Sequence, residues 1–283
     1  MEPTEAFTAR AATVEQAWHD ALAGPTGDAW RTGLVPLQDF TVAPDGLTAA
    51  QRASITAGWY AGGTALPDSV PAAGRVHFGA GADMTVPLIS AATAYGQMRR
   101  GEPPCRPTGG TPPPSTAASG PAGVAAVHDC AVLTVVGARL GQTTLRTSRG
   151  AATVPAWLFT VRELTKPVAR VAFDASATTP VRYPSVAPPS AGELTGVAGA
   201  VWITGGTDRR VEFTIAVGPC DRDSVGLVHE SSETVVVAGL TTPATKACGD
   251  GSLTYAALAV SLKEPLGGRP VFDAVTGRPL TPR

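Results

Sequence analysis

Three short clusters in this chain carry the residue types of catalysis or metal binding. His229-Glu230-Ser231 places a base, an acid and a hydroxyl in succession. Successive strand residues point to opposite faces, so these three cannot form a triad among themselves, and they read as the polar edge of a hairpin. His128-Asp129-Cys130 sets a thiol beside an imidazole, the ingredients of a cysteine nucleophile, which is lost if Cys130 is bridged. Asp221 and Asp223 flank Cys220, and Asp250 follows Cys248. If those cysteines bridge, the three carboxylates approach one another as a loose calcium site would require; the favoured reading is polar loop residues that aid solubility. A fourth cluster, Arg99-Arg100 with Arg106, is basic. It is read as a solvated helix end, with contact to an anionic wall polymer as the functional alternative.

Other chemistries lack their frame. Gly249-Asp250-Gly251-Ser252-Leu253 is not a G-x-S-x-G elbow, no H-E-x-x-H occurs, and His19, His77, His128 and His229 are scattered. Gly62-Gly63 and Gly205-Gly206 read as turns, because no glycine-rich phosphate loop follows a strand and opens a helix. Asparagine is absent, which removes N-glycosylation and any Asn oxyanion donor. Aromatic residues are only 6% and most fall in core patterns, which disfavours a sugar-stacking glycosidase cleft; Trp30 and Trp59-Tyr60 fit those patterns least. No residue is therefore assigned to catalysis, to a cofactor or to a metal, and no cofactor is expected. A net charge of −1 argues against a nucleic-acid partner, and no apolar run reaches the ~18 residues of a transmembrane span.

The cysteines Cys105, Cys130, Cys220 and Cys248 form two sequence pairs, 25 and 28 residues apart, with no C-x-x-C. Four cysteines allow three pairings; the nearest, Cys105–Cys130 and Cys220–Cys248, is favoured because each then stays within one unit. Each bridge would contribute roughly 3–4 kcal/mol in the chain-entropy model. Bridges imply export, yet Met1-Glu2-Pro3-Thr4 has neither a charged n-region nor an apolar h-region. The expectation is an exported protein whose leader has been removed; the alternative is a cytosolic protein with reduced thiols.

The elements that must position these groups follow from periodicity. Phe7, Ala11, Val14, Trp18 and Leu22 make one helical stripe, ended by Gly24-Pro25. Thr48 with Gln51 is a capping-box pattern for a second helix carrying Ile55, and a third begins at Ser90. Between them Val76 and Phe78, then Met84, Val86 and Leu88, alternate as a hairpin around Gly79–Asp83. Residues 101–126 have linker composition. Strands are expected over 131–140, 142–148, 151–162 and 168–173, with the Ala156–Val161 run apolar on both faces and therefore central. The last ninety or so residues read as short strands over 198–204, 209–217, 224–230, 233–240, 253–263 and 270–273.

With 283 residues the prior is two domains at about 150 residues each. The 32 glycines and 26 prolines, about a fifth of the chain against roughly 12% on average, favour a turn-rich fold over a helical bundle. The fold class expected is an α+β N-terminal domain followed by an all-β, sandwich-like C-terminal domain. The boundaries are 1–173 with the Pro-rich loop 101–126, a linker over 174–196, and 197–283.

Four blocks have a familiar look: Trp30-Arg31-Thr32-Gly33 with Val35-Pro36-Leu37; Thr85-Val86-Pro87-Leu88; Thr147–Gly150 leading to Thr153–Phe159; and Pro265–Pro270 with Asp273 and Thr276-Gly277-Arg278-Pro279. In these the chain resembles exported, mostly uncharacterised actinobacterial lipoproteins. The resemblance implies a cell-surface protein with paired cysteines, anchored by lipid to the outer face of the cytoplasmic membrane in its precursor. It supplies no activity and no catalytic residue. The function expected is non-catalytic binding or organisation of a cell-envelope component, with a cell-wall polymer or envelope protein as partner. The alternative is an extracellular hydrolase using His77 or His229 with nearby acids.

Overall fold

The computed structural model describes residues 2–62, 65–79, 81–100, 131–218, 221–242 and 253–280. All four cysteines, His128, Asp129, Arg106, Asp250 and the loop 101–126 lie outside the described residues.

The N-terminal helices form where the apolar stripe and the caps place them. Helix α1 (Pro3–Leu22) buries Phe7, Ala11, Val14 and Trp18. Gly24-Pro25 does end it, but Pro25 also opens a further helix, α2 (Pro25–Thr32), that the periodicity does not announce. Proline at a first helical position sacrifices no intrahelical bond and brings a pre-set φ, so the same dipeptide stops one helix and starts the next. The short strand β1 (Thr41–Val42) precedes α3 (Ala49–Ala57), where Thr48 and Gln51 complete both arms of the capping box. Then come β2 (Tyr60–Ala61), β3 (Gly74–Phe78), β4 (Met84–Val86) and α4 (Ala91–Met98), the last capped by the Ser90 hydroxyl.

The period of two takes over at β5 (Leu133–Thr147), β6 (Gly150–Val161) and β7 (Val168–Val171). Two expected strands, 131–140 and 142–148, are one continuous β5. Gly141 does not turn the chain: it pairs with Ala156, and the Leu158 side chain fills the space that a side chain there would occupy. Strand β6 is central, as its two-sided apolar run requires. It pairs with β5 along one edge and with both β7 and β3 along the other. Helix α4 and the strands enclose a core of Leu133, Leu145, Phe159, Phe173 and Met98, among others.

The C-terminal region is β-rich: β8 (Val197–Ala198), β9 (Ala200–Thr207), β10 (Arg210–Val217), β11 (Arg222–Glu230), β12 (Val235–Thr242), β13 (Thr254–Ser261) and β14 (Val271–Asp273). One sheet runs β13-β10-β9; the other runs β11-β12-β14, with β8 also on β12. Gly205-Gly206 belong to β9, opposite Glu212 and Val211, and the chain turns instead at Asp208-Arg209. The sheets enclose Phe213, Ile215, Val211, Val235 and Val237. Thus the architecture is α+β at the N-terminus and β-rich, sandwich-like, at the C-terminus.

A third core joins the two ends of the sequence. On β12, Val235 and Val237 face the inter-sheet core, while Val236 and Ala238 pack with Phe7, Val14 and Trp18 of α1. Phe272 of β14 sits 5.5 Å from Trp18, and Trp30 and Tyr183 complete the aromatic group. Helix α1 is therefore a third layer over the C-terminal sheet. The Arg10 guanidinium, buried beneath it, donates to the carbonyls of Ala274 and Val275.

Candidate functional site: an arginine-lined cleft

A cavity of about 440 Å³ opens between the N-terminal sheet and the β9–β10 hairpin. One wall is the segment 37–43 with α3; the other is 203–211 with Leu266 and Gly267; Thr144, Arg146 and Ala151 of β5 and β6 contribute the rest. A second cavity of about 310 Å³ shares Leu37, Gln38, Asp39, Arg100 and Arg146 with it and is otherwise more apolar, with Phe40, Tyr183, Val271 and Leu280.

Charge is the main feature of the larger cavity. Among the described residues its lining carries Arg52, Arg100, Arg146 and Arg210 against Asp39 and Asp208, a surplus of two positive charges. Asp39 is already engaged. One carboxylate oxygen accepts from Arg100, and the other accepts from the Thr41 amide at 2.6 Å and from Arg170 at 3.3 Å. Arg210 donates to Glu212 at 3.1 Å. Arg146 meets no carboxylate among the described residues. It donates one Nη to the Leu37 carbonyl and the other to the Arg269 carbonyl at 3.1 Å. Burial pushes its pKa down to about 10, against a small upward pull from Tyr183, so it remains charged at neutral pH. Arg52, on α3, is exposed, and its side chain makes no hydrogen bond or ion pair with any described residue. Burial lowers the Arg170 pKa as well, with Asp39 opposing, and its Nε is buried without a partner among the described residues.

Local structure explains why these arginines stay where they are. Arg146 extends from β5, whose edge also pairs Pro36 with Thr147. The strap over it is fixed by Leu37 N to Arg146 O at 2.8 Å and Ser148 N to Val35 O at 3.0 Å. Gly206 holds φ at +143°, and a side chain there would strike the Arg210 carbonyl, so the hairpin wall presents bare backbone to the cavity.

The residues singled out by sequence distribute unevenly. Arg100 lines both cavities. His77 is paired with Asp83 at 2.8 Å and His229 with Glu15 at 2.8 Å, but neither histidine lines either of these two cavities. Glu230 turns away from His229 toward Arg269, so the 229–231 run is divided between faces as alternation requires. The Asp221 carboxylate accepts from Gly218 N at 2.8 Å and closes its own loop. Among the described residues no group of three His, Cys, Asp or Glu assembles for a metal ion. Tyr60 is core, and Trp30 is buried beside Trp18. Sequence reasoning missed Arg52, Arg146, Arg170 and Arg210, because isolated arginines in amphipathic elements carry no local signature.

Compared with family models, with curated proteins and with solved structures, the chain matches none.

Proposed function

We propose that this is a non-catalytic cell-surface protein, exported and anchored in its precursor to the outer face of the cytoplasmic membrane, that binds a cell-envelope component in the arginine-lined cleft. The observation that carries the reading is a cavity of about 440 Å³ with a surplus of two positive charges in a chain whose net charge is −1. A positive surplus concentrated in a concave site favours an anionic partner.

Two disulfides belong to the same reading. The registers Val217–Thr254 and Arg222–Thr242 bring the flanks of Cys220 and Cys248 together. Arg100 N bonds to Gly58 O while Leu133 pairs with Tyr60, so both flanks of the segment that holds Cys105 and Cys130 attach to the same short stretch, 58–60. Thiol titration in denaturant is expected to find no free thiol before reduction and four after it.

The test of function is co-sedimentation with isolated wall and membrane fractions at low and moderate salt. Saturable pelleting that survives moderate salt, and is lost in a cleft-filling Thr204→Trp variant, is the expected result. Failure to pellet with any fraction overturns the reading.

A further inference from the structure

We infer that the cleft takes a phosphate ester of a polyhydroxylated residue, such as a sugar or polyol phosphate; this rests on the binding function proposed above. Two features of the lining select that chemistry. The first is charge. With Asp39 shared between Arg100 and Arg170, and Arg210 held by Glu212, Arg146 and Arg52 are the lining guanidiniums with no acidic partner among the described residues. Arg146 spends two donors on carbonyls and retains others of its five. The net charge of the described lining residues, two positive, is matched by a phosphate monoester of about −1.5 to −2 and only half matched by one carboxylate. Guanidinium binds phosphate in a fork, which suits a half-buried Arg146 with an exposed Arg52 in the same lining.

The second feature is hydroxyl density. Thr56, Thr144, Thr204 and Thr207 line the cleft, and none of their hydroxyls bonds to a described residue. Each offers one donor and two acceptors to a hydroxylated ligand. Among the described residues the lining contains no aromatic ring. Recognition would therefore run through hydrogen bonds to ligand hydroxyls rather than through stacking.

The experiment is calorimetric titration of the full chain with glucose 1-phosphate, glucose and inorganic phosphate. Glucose 1-phosphate is expected to bind saturably and at least about tenfold tighter than either of its halves, because both sets of contacts are then made. Arg52→Ser, at an exposed position whose side chain bonds to no described residue, is expected to fold normally and to weaken that binding about tenfold, the value of one charge-assisted contact. Thr204→Val is expected to weaken glucose 1-phosphate binding and leave inorganic phosphate unaffected. Three results would overturn the inference: no saturation by about 10 mM glucose 1-phosphate, an affinity no better than inorganic phosphate alone, or unchanged affinity in Arg52→Ser. If any of these occurs while Thr204→Trp still abolishes pelleting with envelope fractions, the ligand class is wrong and the proposed function stands. If pelleting itself fails, the broader reading falls as well.

Discussion

Gly268 lies directly against Ser148: a methyl group on the glycine would sit 2.3 Å from the Ser148 carbonyl oxygen. The contact joins positions 120 residues apart. Beside it Arg146 reaches the Arg269 carbonyl, and the Ser148 hydroxyl donates to the Trp30 carbonyl at 2.7 Å. Three separate sequence blocks, 30–37, 146–159 and 265–279, thus converge on one junction between the N-terminal sheet and the β-rich region, directly beneath the cleft.

Because backbone rather than a flexible side chain blocks Gly268, Gly268→Ala is expected to destabilise by about 1–3 kcal/mol. Gly79→Ala, where nothing lies within 4 Å, serves as control and should stay within about 0.5 kcal/mol. Urea unfolding monitored by circular dichroism measures both.

Arg269 is the most heavily bonded arginine of the junction. It donates to the carbonyls of Ser231, Glu264 and Pro265 at 2.8–3.0 Å and to Glu230 at 3.3 Å, with only about a tenth of either charged side chain exposed. Removing one partner of a buried pair leaves the other uncompensated, so Arg269→Met is expected to cost about 3–5 kcal/mol in the same unfolding assay.

Glu230 makes that junction sensitive to acid. Burial pushes its pKa up, but the amides of Lys263 and Glu264 and the Arg269 guanidinium together outweigh this and hold it below the usual carboxylate value. A group with a depressed native pKa contributes its stability in full above the unfolded value of about 4.3 and loses it as pH falls through the native value. Unfolding free energy measured across the acid range should fall in that window, and Glu230→Gln should flatten the fall.

His19 on α1 behaves in the opposite sense. Its hydrogen bond to Glu233, followed by the charge of that carboxylate, raises its pKa above 6.5. A raised native pKa contributes stability that is complete below the unfolded value and lost as pH rises through the native one. An NMR titration of the His19 ring is expected to give a midpoint above 6.5, and Glu233→Gln is expected to bring it back down; an unchanged midpoint in that variant would assign the shift elsewhere.

Trp18 is wholly buried among Trp30, Tyr183 and Phe272. Trp18→Ala should cost about 3–5 kcal/mol by cavity formation. It should also speed proteolysis at α1, since this ring is the largest buried contact of that helix with the sheet beneath.

Much of the fold was legible because its signals are local. The Thr48 capping box, the Ser90 cap, the α1 stripe and the alternation of Val211, Phe213, Ile215 and Val217 each reflect bonds or faces within one element, and each stands where the sequence puts it. Signals that depend on a neighbour misled. Gly141 and Gly206 look like breaks in isolation, yet they are strand positions kept bare for Leu158 and for the Arg210 carbonyl. Of the cleft, only Arg100 belonged to a cluster visible in the sequence.

By itself, then, the sequence determined most of the elements, their caps and the change from helical to strand periodicity, because each depends on residues a few positions apart. Tertiary structure alone decided that α1 covers the C-terminal sheet, that 146–148 meets 268–269, and that Arg52, Arg100, Arg146 and Arg210 share one cavity. Such contacts join segments from 46 to more than 250 positions apart. They depend on which apolar faces find each other, a choice that no local pattern encodes.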